Sequence, residues 1–97
     1  MRAHGHATDA RRAAATTTLE KRRTHLTSLY HKAGGKLKGR EAALAAAPNG
    51  SVGTVCDWNC KEVWIDITLD VPYDNKPSGT VHRFHNPLEI VLHQSAS

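Results

Sequence analysis

Large apolar side chains are scarce in this chain. Val, Ile, Leu and Phe together make up 18 of its 97 residues, close to the composition at which a folded core becomes doubtful. Aromatic residues number five: two Trp, two Tyr and one Phe. Thirteen alanines lift the apolar fraction to 39% but bury little surface each, so a ligand, a metal or a partner is expected to supply part of the stability. The length allows one small domain and excludes barrel and dinucleotide-binding enzyme folds. No run approaches the roughly 18 apolar residues that cross a bilayer, and Met1-Arg-Ala-His-Gly-His6 lacks the apolar segment of a secretory signal. The expected location is an intracellular, reducing compartment, with no membrane contact. Two cysteines there read as thiols or metal ligands before they read as a disulfide.

Acidic residues are also scarce, but only in the first half. Residues 1–50 hold ten Lys/Arg against Asp9, Glu20 and Glu41, a net charge of +7. Residues 51–97 hold Lys61, Lys76 and Arg83 against six acids, a net charge of −3. The overall +4 therefore hides a dipole whose N-terminal half attracts anions.

The hydropathy pattern changes at the same place. From Thr8 or Asp9, both suitable caps, neither Pro nor Gly interrupts the chain until Gly34-Gly35, which predicts one long helix. Ala15, Leu19, Leu26, Tyr30 and Ala33 form a narrow stripe on it, with Leu29 at the edge. Residues 1–8 are expected as a flexible basic and His-bearing arm. The first three turns offer only alanine for packing, so this protein's own core is not expected to hold the helix start. Arg40-Glu-Ala-Ala-Leu-Ala-Ala-Ala47, ended by Pro48-Asn49-Gly50, reads as a short second helix.

From Ser51 the period becomes two. Val63, Ile65, Ile67, Leu69 and Val71 alternate with Glu62, Trp64, Asp66, Thr68 and Asp70, which predicts a strand. Pro72 to Gly79 is turn chemistry, and Thr80 to His93 reads as a returning strand interrupted near Asn86-Pro87. Residues whose numbers sum to about 151 should then face each other, putting Phe84, Leu88, Ile90 and Leu92 with Val63 and Ile67. A short strand at Val52–Val55 would complete a three-stranded meander. The expected fold is α+β: a long N-terminal helix and a short second helix packed on a small antiparallel β-hairpin or three-stranded meander. It forms a single domain, 9–97, with a basic helical half (9–50) and an acidic β half (51–97).

Four groups of residues bear on function. Arg12, Lys21, Arg22, Arg23, Lys32, Lys36, Lys38 and Arg40 are candidate phosphate ligands for RNA or DNA, set against a merely solvated basic face. Trp58, Trp64 and Tyr73 are candidates for stacking bases, though Trp64 in a regular strand suits cross-strand packing. Cys56 and Cys60 read first as ordinary reduced thiols. If zinc is bound, the geometry favours Cys56, Cys60 and His93 over His82 and His85, because residues three apart on a strand point to opposite faces. His93 is expected opposite Trp58, and His31 or Asp57 would be the fourth ligand. Arg83 and His85 beside Asp66 and Asp70 read either as cross-strand charge pairing or as an acid–base group for phosphodiester cleavage.

The order helix, helix, strands resembles the small ribonuclease toxins of toxin–antitoxin systems in size and basic charge, although the first strand of that fold is absent. That resemblance implies a ribonuclease. The residues themselves favour a non-catalytic protein whose helical half contacts nucleic acid inside a larger assembly. A third reading is a structural subunit of a ribonucleoprotein or phage virion, with a protein partner covering Leu19, Leu26 and Tyr30.

Overall fold

The absence of proline before Pro48 lets the first third of the chain form one helix, α1 (Arg2–Lys32). The structure, a computed structural model, describes the backbone of residues 2–93 and the side chains of residues 15–93. The helix takes in residues 2–8, read above as an arm. It ends in a Schellman motif: Gly34 N–H donates to His31 and Gly35 N–H to Tyr30, both at 3.0 Å. Both glycines lie in the left-handed region, at φ 64° and 81°, where a side chain would be strained.

Five antiparallel strands follow: β1 (Glu41–Leu44), β2 (Ala47–Asn59), β3 (Trp64–Leu69), β4 (Val81–Phe84) and β5 (Ile90–Leu92). A 3-10 turn, Pro87–Glu89, precedes β5. The strand order is β4-β3-β2-β1-β5. Three expectations are corrected here. The predicted second helix is instead β1, a two-residue turn and the start of β2, and Pro48-Asn49-Gly50 lies inside β2 rather than ending a helix. An isolated helix of about eight residues is marginal in water whatever its alanine content. As a strand the same segment pairs on both sides, and Ala42 and Ala43 are wholly buried.

Second, the sheet has five strands in place of the expected three-stranded meander, and β5 pairs with β1 rather than with β4. The hairpin of β3 and β4 pairs Ile65 with Phe84 and Ile67 with His82. That register sums to 149, not 151. A shift of two residues keeps every side chain on its face, so Phe84 does lie with Ile65 and Ile67 in the core. Val63 precedes β3 in a turn at φ 62°, and Val71 beyond it is exposed.

Third, the returning strand is two strands. At Asn86-Pro87 the missing proline N–H breaks the ladder, and the Asn86 side chain caps the 3-10 turn by accepting from Leu88 N–H at 3.2 Å. Leu88 is thereby exposed, while Ile90 pairs with Leu44 at the far side of the sheet. On a flat sheet the β4 and β5 edges would stand about 19 Å apart at the usual strand spacing. Three extended residues and one 3-10 turn reach only about 16 Å. The sheet therefore curls, and its inner face holds Val52, Val55, Ile65, Ile67, Leu69, Phe84 and Ile90.

Leu26 and Leu29 of α1, with Ala33 and Leu37 just beyond it, close that core. Arg23 fastens the helix to the β2–β3 turn by donating from Nε to the Cys60 carbonyl at 3.0 Å. His25 Nε2 donates to the Ile90 carbonyl at 2.7 Å. Residues 15–21 are all exposed, as expected for a helix start that this core does not hold. The radius of gyration is 16.1 Å, against about 12–13 Å for a compact chain of this length. Among the described residues, no helix is long and apolar enough to cross a membrane.

Candidate nucleic-acid interface

The connection from α1 to β1 has the sequence Gly34-Gly-Lys-Leu-Lys-Gly-Arg40, and its single large apolar residue organises it. Leu37 is 1% exposed and belongs to the core. Gly39 N–H donates to the Val55 carbonyl at 2.8 Å, and Val55 N–H donates back to the Arg40 carbonyl at 2.9 Å. Gly39 takes φ 88° to make that contact. With the loop fixed at both points, Lys36 and Lys38 stand exposed on either side of the buried leucine.

The lysines border a surface cleft of about 540 Å³ lined by Tyr30, Gly35, Lys36, Leu37, Lys38 and Trp58. Tyr30, on the last turn of α1, and Trp58, near the end of β2, have ring centroids 4.8 Å apart with planes tilted by 53°. His31 meets Tyr30 edge to face at 5.6 Å. Trp58 reaches this side because of a bulge at Cys56, where the β2–β3 register slips between Val55 and Asp57. The slip turns Trp58 to the inner face, opposite Ile65, which the regular alternation of β3 already places there. Lys38 Nζ lies 3.8 Å from Asp57 Oδ1, and both groups are exposed, so the pair is weak and screened by salt.

Comparison with protein families, curated proteins and solved structures finds no match. The arrangement of side chains therefore carries the functional argument alone.

The eight predicted phosphate ligands divide into separate groups. Lys36 and Lys38 border the cleft, with the exposed Arg40 at the end of the same connection and the exposed Lys32 just before it. Lys21, Arg22 and Arg23 lie about 14 to 16 Å up the helix from Lys32. Arg23 is committed to Glu20 and to the Cys60 and Lys61 carbonyls. Arg22 has its Nε buried without a hydrogen-bond partner, while Lys21 is exposed. The Arg12 side chain lies outside the described residues.

The three predicted zinc ligands are not brought together. Cys56 is exposed at the bulge, its thiol 3.5 Å from the Asp66 carbonyl. Cys60 is half-buried at the β2–β3 turn, 3.7 Å from the Thr27 hydroxyl. His93 lies beyond β5 and meets Glu41, its Nδ1 3.3 Å from the carboxylate. The residue opposite Trp58 is Ile65, not His93, because the strand that carries His93 crosses to the other edge of the sheet. Among the described residues no three His, Cys, Asp or Glu side chains form a metal-binding group.

Asp66 and Arg83 share the outer face as read from the sequence. Arg83 donates from Nε and Nη2 to the two carboxylate oxygens of Asp66, at 2.9 and 3.1 Å. Its guanidinium stacks 3.7 Å from the Trp64 ring centroid. The Asp66 hydrogen bond raises the Arg83 pKa above its ordinary value. Trp64 is thus a packing partner, its indole N–H donating to Glu62. His85 is exposed just past β4. Tyr73 is taken up by the core cluster, 5.5 Å from the Phe84 ring and edge-on to His82.

Of the residues at the cleft, Trp58, Lys36 and Lys38 were singled out from sequence. Tyr30 enters the sequence reading as part of an apolar stripe, and Leu37 does not enter it. The signal for Leu37 was present: one leucine isolated between lysines and glycines has no reason to be apolar unless it is buried.

Proposed function

We propose that this chain is a non-catalytic protein that binds nucleic acid through its phosphates, with the α1–β1 connection as the contact surface. The observation that carries this reading is the fixed basic loop, whose buried Leu37 holds Lys36 and Lys38 at the border of a cleft that contains Trp58. Ordering these lysines in advance lowers the entropy cost of engaging a polyanion. Lys32 and Arg40 add charge beside them, and the basic residues higher on α1 extend the field that steers a polyanion toward this end.

Binding should weaken with salt, the log–log slope growing by about 0.7 to 0.9 for each phosphate neutralised. Reversing the charge of Lys36 and Lys38 together should weaken binding to every sequence equally, since phosphate contacts position a protein without reading bases. A titration at low salt that detects no binding to RNA or DNA refutes this reading.

A place inside a larger assembly is favoured by a separate observation. The helix stands exposed from residue 15 to residue 21, Leu19 included. Of the apolar stripe first assigned to a partner, Leu26 is fully covered by this chain's own core and Tyr30 leans on Trp58. Leu19 remains as its outward member. Sedimentation of the full chain against a Leu19→Glu variant tests whether that surface mediates association.

A further inference from the structure

We infer that the cleft beside Tyr30 and Trp58 accepts an unpaired nucleobase, so that this end of the protein prefers single-stranded over double-stranded nucleic acid. The inference rests on the phosphate-binding reading and adds the part of the ligand that lies between the phosphates. Four features of the cleft support it.

The first is its composition. A volume of about 540 Å³ falls within the range of small-molecule sites, roughly 300 to 1,000 Å³. The lining is two aromatic rings, a leucine and a glycine, bordered by two cations. A base offers a π-face to the rings and its phosphates to the lysines. In a duplex the base faces are covered by their stacked neighbours, so only an unpaired base can present one.

The second is shape. Gly35 lies against Tyr30, and a Cβ added there would stand 3.4 Å from the Tyr30 hydroxyl oxygen. That is ordinary van der Waals contact, so a longer side chain would lie in the cleft beside the ring, and the glycine required by the helix end leaves that space open. Third, Trp58 is held from behind as well as beside: it packs against the core cluster while remaining half-exposed. A ring already fixed in this way loses little freedom when a base stacks on it. Fourth, the side chains of the lining donate only through the two ammonium groups, the Trp58 indole N–H and the Tyr30 hydroxyl, and that hydroxyl is their single acceptor. Base edges are therefore scarcely read, and the preference is for single strands of any sequence, of ribose or deoxyribose alike.

The test uses the full chain carrying Trp64→Phe, which leaves Trp58 as the sole tryptophan and keeps a ring under Arg83. At low salt it is titrated with oligothymidylate, oligouridylate, an abasic phosphodiester of the same length and a blunt duplex. Both single strands should quench Trp58 fluorescence and bind roughly 5- to 150-fold tighter than the abasic polymer, the stacking contribution of one base. The abasic polymer and the duplex should leave the fluorescence unchanged. Because Trp58 also touches the core, its role is checked by Trp58→Leu, which keeps an apolar side chain against the core, and independently by Tyr30→Leu, with labelled probes read by anisotropy. Each variant should bind single strands only as well as the abasic polymer and should bind the abasic polymer as the parent does. Equal binding of single strands and abasic polymer overturns this inference alone, and so does undiminished single-strand affinity in both variants. Failure of all four probes overturns the phosphate reading with it.

Discussion

Gly53 lies on β2 opposite Leu69 of β3, where the two strands approach too closely for any side chain. A Cβ added there would overlap the Thr68 carbonyl oxygen, stand 2.6 Å from Ile67 Cγ2 and 2.9 Å from the Thr68 carbonyl carbon. Carbon atoms prefer about 3.5 to 4.0 Å, so relief requires β2 and β3 to part by about 1 Å. Two of the three obstructing atoms are backbone, and they cannot swing aside as a flexible side chain would. Parting the strands also strains the Asp70 N–H to Val52 carbonyl hydrogen bond of 2.9 Å beside them. Overpacking of this kind costs about 1 to 3 kcal/mol, and a weakened backbone hydrogen bond adds about 1 kcal/mol. Against this, alanine stabilises by about 0.4 to 1 kcal/mol through the unfolded chain. The net expectation for Gly53→Ala is a loss of roughly 1 to 3.5 kcal/mol, lowering the thermal midpoint by on the order of 5 to 25 °C in a domain of this size. Gly50→Ala is the control, because a Cβ there meets nothing within 4 Å. Urea and thermal denaturation followed by circular dichroism measure both. Equal midpoints for the two variants would refute the close approach of β2 and β3, and with it the register that turns Trp58 inward.

Leu26→Ala should cost about 2 to 5 kcal/mol, because the side chain is fully buried under the sheet, whereas Leu19→Ala at 41% exposure should change stability by less than about 0.5 kcal/mol; denaturant midpoints of the pair check which turns of α1 the core holds. Arg83→Met should destabilise more than the double change Arg83→Met/Asp66→Leu, since the single variant leaves the carboxylate of the buried Asp66 without the partner of both its oxygens. His82 should make stability fall as the solution is acidified. Burial, and then the Lys76 ammonium 2.8 Å from Nδ1, hold its pKa below the ordinary 6.5, against the opposing pull of Asp74, Glu89 and Asp66. The unfolded chain therefore binds the proton first, so the contribution of neutral His82 is complete above about pH 6.5 and is lost as pH falls through the folded value. His82→Phe should show a shallower loss of stability between pH 7 and 5 than the parent, and an identical slope would sink the assignment.

The alternation in residues 63–69 was legible in the sequence because a half-buried strand must place its apolar residues at every second position. The same parity put Phe84 on the face of Ile65 although the register was off by two, since only an odd shift exchanges the faces. The long helix and its double-glycine stop followed from local conformational preference, which operates without any partner. The charge dipole needed no structure at all. Tertiary contacts decided the rest. Whether Arg40–Ala47 became helix or strand rested on the open backbones of β2, which follows it directly, and of β5, about 45 residues away, which together outweigh a modest alanine propensity. The β4-to-β5 crossing depended on how far the sheet curls, and it moved His93 away from the cysteines. The cleft was fixed last: the bulge at Cys56 aims Trp58, the helix end aims Tyr30, and burial of one leucine turns a flexible basic linker into a fixed border. Local patterns specify elements, but a site assembled from a helix end, a loop and a strand exists only once the core they share has closed.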